Sequence, residues 1–320
     1  MAKRGATGQE KPREATVRKG IRWRLFLDDW GRLVIPVGVV AILFALHWLG
    51  VLDDRGVGFV VGCIVLLGSV VAAGIILWQN EFPRWVRTTA IAGGVLFLAG
   101  VGLPFMRAVY PGTPAFDRTV SKETVDAKTA SLGGGLYTVE VRAAETENAG
   151  GKQARFAVTI GDEKVSGAFS DIFQTMRGRK NTSRQVEVRH LSEQRLVGLP
   201  GGEMPVKLAL LDPAFGTEVR VRLFPVLLPP GVMYATAILL LLFATFVDGR
   251  FQDQTDKWRL TPWIGVVLTF LIFFNWDFNA DDVTRHAIGA TIVGGIVGFL
   301  VGWVVSLIGR VVVGKIRTRA

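Results

Sequence analysis

At 320 residues, half of them hydrophobic, and with a mean hydropathy of +0.37, the chain is too apolar for an ordinary soluble domain of its size. A net charge of +10 would raise a nucleic-acid partner in a soluble protein. Here the basic residues stand beside the apolar runs, as topology signals and lipid-headgroup contacts, so no nucleic acid is expected.

The lone cysteine, Cys63, excludes an intrachain disulfide. The three histidines, His47, His190 and His286, share no ligand spacing, so neither a metal centre nor a cofactor is expected.

Residues 1–32 read as a polar cytoplasmic tail that ends in a candidate interfacial helix. Trp23, Phe26, Leu27, Trp30 and Val34 share one helical face there. Residues 33–110 hold three predicted spans, near Leu33 to Leu52, Val57 to Trp78 and Thr88 to Tyr110. The first is read as retained, because about 30 residues precede it and no small-x-small site follows.

Residues 111–225 are polar and alternating, and residues 226–309 hold three more spans. The fourth opens at Pro229-Pro230 and ends near Val247. The fifth has Thr261 as N-cap and Pro262 in its first turn, and ends by Phe278. As the shortest span it is expected to stand upright or thin the bilayer. The sixth runs from His286 to about Gly309, and residues 310–320 form a basic tail.

The tails and the loops 79–87 and 248–259 hold most of the Lys and Arg outside the insert, whereas Asp53-Asp54-Arg55 and 277–285 are acidic on balance. The positive-inside rule then places both termini in the cytoplasm and residues 111–225 outside. The Ala/Gly/Val/Arg-rich composition suggests a bacterial inner membrane.

Within the insert the period changes to two. Val139 and Val141 alternate with polar residues, as do Phe156, Val158 and Ile160. So do Val186 and Val188, then Val206, Leu208 and Leu210, then Val219, Val221 and Leu223. Gly133-Gly134-Gly135, Gly161-Asp162 and Pro200-Gly201-Gly202 supply turns. Ser170 to Met176 is read as a candidate helical turn. The fold class is therefore a polytopic α-helical membrane protein of six transmembrane helices. An all-β domain, sandwich- or jelly-roll-like, is inserted between helices 3 and 4. Its terminal strands should lie close together near the membrane.

Candidate sites are few, and no catalytic residue can be named. Ala290, Gly294, Gly298 and Gly302 stand four apart in span six, and Gly58 and Gly62 repeat the spacing in span two. Such a glycine zipper lets another helix approach closely, within the chain or between chains.

Arg107 and Asp277 could pair at the outer surface as a polar entrance. The favoured reading leaves Arg107 snorkelling to headgroups and Asp277 in water. Arg177, Arg179, Lys180 and Arg184 form a basic loop that could meet an acidic partner or simply be solvated.

The Asp248-Gly249 pair is similar to that of membrane phosphatidyltransferases of the CDP-alcohol type. That family's alanine-arginine pair and later aspartates are missing, so the loop reads as a solvated turn.

The leading expectation is a non-enzymatic inner-membrane scaffold or partner-binding subunit of a membrane complex. Its partners would be membrane lipids and membrane or periplasmic proteins, docked on the outer domain. The alternative is a transporter or lipid-exporter component. The layout of three helices, β-domain and three helices resembles the permease subunits of the lipopolysaccharide exporter. The long cytoplasmic coupling segment between their second and third spans is absent here.

Overall fold

The computed structural model describes residues 42–43, 45–121, 127–128, 132–143, 152–177, 183–212, 215–255, 258–276 and 283–317. The chain divides into two compact units, Met1–Asp53 and Asp54–Ala320. The candidate interfacial helix and most of the expected first span lie outside the described residues. In the first unit residues 45–48 are helical, and His47 Nδ1 lies 3.1 Å from the Leu52 carbonyl oxygen.

The second unit contains α1 (Asp54–Gln79), α2 (Arg84–Val109), α3 (Gly231–Arg250), α4 (Gln252–Thr255), α5 (Thr261–Asn275) and α6 (Val283–Val313). Four of these, α1, α2, α3 and α6, are long and apolar enough to cross a membrane, whereas α5 is apolar but shorter. By length and composition this is a membrane protein that also carries a β-domain. Large side chains such as Leu239, Leu242, Ile292 and Leu300 point outward and exposed, as a lipid-facing surface requires.

The short α5 is the hub of the bundle. Val267, Phe270, Leu271 and Phe274 are fully buried on it, and the Phe274 ring lies 5.1 Å from that of Phe105 on α2. Against it lies the glycine row of α6. A Cβ at Gly294 would stand 3.0 Å from the Phe270 Cα, at Gly298 2.8 Å from the Val266 Cα, and at Gly302 2.7 Å from the Pro262 Cα. The partners descend in fours as the glycines ascend in fours, so the two helices run antiparallel in backbone contact within one chain. Ala290, the next position of the row, is also buried. Gly58 faces Val283, and Gly62 makes room for the Phe105 ring.

Two π-turns interrupt the long helices, Leu98–Gly102 in α2 and Gly294–Gly298 in α6. The first lies just before Pro104, which cannot donate to the carbonyl four residues back and crowds it; a widened turn accommodates both effects.

Two carboxylates cap neighbouring helices. Asp248, expected in a solvated turn, is fully buried. It accepts from the Leu260 and Thr261 amides at 3.0 Å each, from the Thr261 hydroxyl at 2.7 Å and from the Ser306 hydroxyl at 3.0 Å. The first turn of α5 has unpaired amides that need acceptors away from water, and Asp248 supplies them. Thr261 is therefore the first residue of α5 rather than its cap, and Leu260 holds the cap position. Asp54, at the start of α1, accepts from the Val283 amide at 2.6 Å and so caps α6.

Among the described residues nine antiparallel strands form two sheets. One orders β1 (Phe116–Ser121), β9 (Glu218–Pro225), β3 (Gly135–Ala143) and β7 (Ser192–Leu199). The other orders β2 (Ala127–Lys128), β8 (Pro205–Leu211), β4 (Lys152–Ile160), β5 (Glu163–Arg177) and β6 (Ser183–His190). Val139, Val141 and Val221 from the first sheet share one core with Phe156, Val158 and Phe169 from the second. The terminal strands β1 and β9 are hydrogen-bonded neighbours, so the domain enters and leaves at one place.

Two expectations need correction. Ser170 to Met176 is not a helical turn but the second half of β5, held by β6 through pairs from Ser170↔His190 to Met176↔Arg184. Leu210 does not join the core. A bulge between Ala157 and Val158 shifts the β4–β8 register, so Leu210 is exposed and Leu211 is buried instead.

Candidate functional site

The sequence places one arginine, Arg107, at the end of α2, just before the chain enters the β-domain. That placement opens a cleft of about 620 Å³ between the domain and the helix ends. Its walls are Arg107 and Pro111 below, Thr138 of β3 and Glu193 to Leu196 of β7 above, and Pro230, Asn275 and Trp276 at the side. A second, apolar cavity of about 180 Å³ adjoins it. The two share Arg107, Ala108, Pro111, Thr138, Pro230 and Asn275, and the apolar one continues to Leu103, Met106, Phe224 and Met233. The site is amphiphilic, with a polar mouth and an apolar extension.

Each polar group has a definite setting. Arg107 is exposed and makes no hydrogen bond or ion pair among the described residues. Its guanidinium lies over Gly112, where an added Cβ would stand 2.6 Å from Nη1. Gly112 also has φ +88°, a conformation other residues adopt only with strain, so its backbone favours glycine there, whereas the exposed guanidinium could swing aside from a Cβ.

Glu193 accepts from His190 Nε2 at 2.9 Å and from Arg195 at 2.7 Å. The hydrogen bond from His190, helped by the Arg195 charge, holds the Glu193 carboxyl below its ordinary range against the opposing effect of burial. The Glu193 charge is thus already compensated, whereas Arg107 has no ion-pair partner among the described residues.

Asn275 donates to the Leu271 carbonyl at 2.8 Å and so closes the last turn of α5 at the cleft wall. Trp276 is 71% exposed beside it.

Behind the cleft a charged row crosses the first sheet. Arg220 donates to Asp117 at 2.7 and 2.8 Å, and Arg222 lies 3.5 Å from Asp117 and 3.6 Å from the buried Glu140. The Arg220 hydrogen bond, with both arginine charges, holds the Asp117 carboxyl below its usual range. Gln194 donates to Glu140 at 3.4 Å, which links the row to β7 at the cleft. This row ties the strands of the first sheet together, while Glu140 Oε1 and Arg222 Nε stay buried without a hydrogen-bond partner among the described residues.

The arrangement can hold an anionic head against Arg107 and place an apolar group in the adjoining cavity. Among the described residues no group of three or more His, Cys, Asp or Glu side chains could hold a metal ion.

Of the residues singled out from sequence, Arg107 lies in this cleft, while Asp277 lies outside the described residues. Arg177 and Arg184 belong to β5 and β6, whereas Arg179 and Lys180 lie outside the described residues. The glycines form a packing seam elsewhere in the bundle. Sequence reasoning missed the Glu193–His190 pair, whose spacing of three carries no signal for a strand turn, and Gly112, whose signal was its place after Pro111. Compared with known proteins, the chain matches no family model, no curated protein and no solved structure.

Proposed function

We propose that the chain is a non-enzymatic docking subunit of a bacterial inner-membrane complex. In this reading it has six spans, both termini are cytoplasmic and residues 111–225 are extracytoplasmic. The charge bias of the short loops supports this orientation. The short α5 counts as a span because it lies at the centre of the bundle, and the two sheets form the sandwich on which a partner rests.

The observation that carries the docking reading is Arg107, unpaired among the described residues, in a preformed cleft at the junction of domain and helices. Such a cleft suits an anionic, membrane-presented segment of a partner, since clefts with few convergent polar groups are the usual binding places. The apolar extension supports a second reading, a subunit that handles an amphiphile for a lipid exporter.

The test is co-purification in mild detergent from cells expressing wild type or Arg107→Glu at equal levels. Arg107 is exposed, so folding should change by no more than about 0.5 kcal/mol. Partner recovery should fall severalfold in the variant. Equal recovery of the same proteins would remove the cleft from the docking surface.

A further inference from the structure

At the opposite end of α2 from Arg107, a groove opens on the lipid-facing side of the bundle between α1, α2 and α3, with α5 at its base. It encloses about 270 Å³. Small residues carve it: Ala73 and Gly74 on α1, and Ala90, Gly93 and Gly94 on α2. A Cβ at Gly74 or Gly94 would meet open space, so neither glycine is needed for helix contact.

Along α2 the groove runs from Arg87 to Phe97, a rise of about 15 Å at 1.5 Å per residue. That is half of a hydrocarbon core of about 30 Å. The groove therefore begins at one membrane surface and ends near the bilayer centre, the depth of one leaflet.

Its mouth is charged and its length is not. Arg87 donates through Nη2 to the Asn80 carbonyl at 3.1 Å, while its buried Nε has no acceptor among the described residues. A buried guanidinium N–H without an acceptor is costly, and a phosphate oxygen is the acceptor best matched to it. The other lining side chains are apolar, among them Leu77, Trp78, Phe243 and Ile264.

We propose that this groove is a binding site for a single anionic phospholipid of the leaflet remote from the β-domain. Its phosphate accepts from Arg87, and one acyl chain lies along Gly94 and Gly74 toward Phe97. The site is separate from the Arg107 cleft and does not rest on the docking reading. Charge complementarity selects the occupant, because the one cation sits where a headgroup lies and the apolar length matches a chain of that leaflet.

The experiment is native mass spectrometry of the full chain after incubation with phosphatidylglycerol or phosphatidylcholine of identical chains. Wild type should retain one phosphatidylglycerol in preference to phosphatidylcholine. Arg87→Gln should lose phosphatidylglycerol retention about tenfold, the loss expected for one charge-assisted hydrogen bond. Gly94→Leu, which fills the groove without touching Arg87, should lose retention of both lipids while keeping the wild-type melting temperature or raising it. Equal retention of phosphatidylglycerol by wild type and both variants would overturn the site. So would a change in subunit assembly with Gly94→Leu, because the groove would then belong to a second copy.

Discussion

Replacing Gly298 by alanine should separate α5 from α6. An added Cβ would stand 2.7 Å from the Gly265 carbonyl oxygen and 2.8 Å from the Val266 Cα, both backbone atoms that cannot swing aside. Carbon contacts settle near 3.5–4.0 Å, so the helices must part by roughly 1 Å, and a gap of that size forfeits about a quarter to a half of each dispersion well across the seam. Overpacking of this kind costs about 1–3 kcal/mol, and backbone on the opposing side puts Gly298 at the upper end. Alanine returns about 1 kcal/mol in helix propensity, leaving a net loss of about 2 kcal/mol.

Gly94 is the control, since its Cβ would meet open space and only the propensity gain of up to about 1 kcal/mol remains. The two variants should therefore differ by about 3 kcal/mol in reversible unfolding in one detergent, with Gly298→Ala the weaker. If Gly298→Ala unfolds no more easily than Gly94→Ala, the two helices are not in backbone contact and the seam described here is wrong.

Two further outcomes follow from other parts of the molecule. Asp248→Ala would leave the Leu260 and Thr261 amides and two hydroxyls without their acceptor; at about 1–3 kcal/mol for each buried group left unsatisfied, it should abolish stable folding in detergent, and a melting temperature within 2–3 °C of wild type would show that water already reaches these groups. In a Cys63→Ser background, a membrane-impermeant thiol reagent added to intact cells should label Lys164→Cys in the β-domain and leave Gln79→Cys unlabelled; labelling of Gln79→Cys alone would reverse the proposed topology.

The helices and most strands were legible because their signals are local. Apolar runs mark the long helices, and alternation around Val139, Phe156 and Val219 marks β3, β4 and β9. What escaped depends on partners remote in sequence. Ser170 to Met176 has no clean alternation and becomes strand by pairing with β6 along its length, while β4 reaches only Ser170 and Asp171. Leu210 follows its own strand's period until a bulge in the β4–β8 pairing, visible only in the paired structure, turns it outward.

The glycine row was readable as a packing surface, but its partner was not: Val266 and Pro262 carry no mark of being the other half. Asp248 escaped for a related reason. An aspartate followed by glycine at a helix end reads as a turn in water, and only the arrival of α5 twelve residues later makes its carboxylate a cap.

The same cap bears on why a helix as short as α5 can sit at the centre of a membrane bundle. Its 15 residues rise about 22 Å, less than a hydrocarbon core of about 30 Å. A lipid-exposed helix of that length would have to stand upright and thin the bilayer, which is what the sequence leads one to expect. The structure offers another route. The first amides of α5 end on Asp248, the Asn275 side chain takes up the Leu271 carbonyl in its last turn, and Val267, Phe270, Leu271 and Phe274 are covered by neighbouring helices. The amides of its first turn that would otherwise need water or headgroups are satisfied by protein, as backbone within the hydrocarbon requires. In the six-span reading Arg87 and Arg107, 20 residues apart on α2 and so about 30 Å along its axis, reach both surfaces. The long helix sets the thickness, and the short one needs no thinned bilayer to fit inside it.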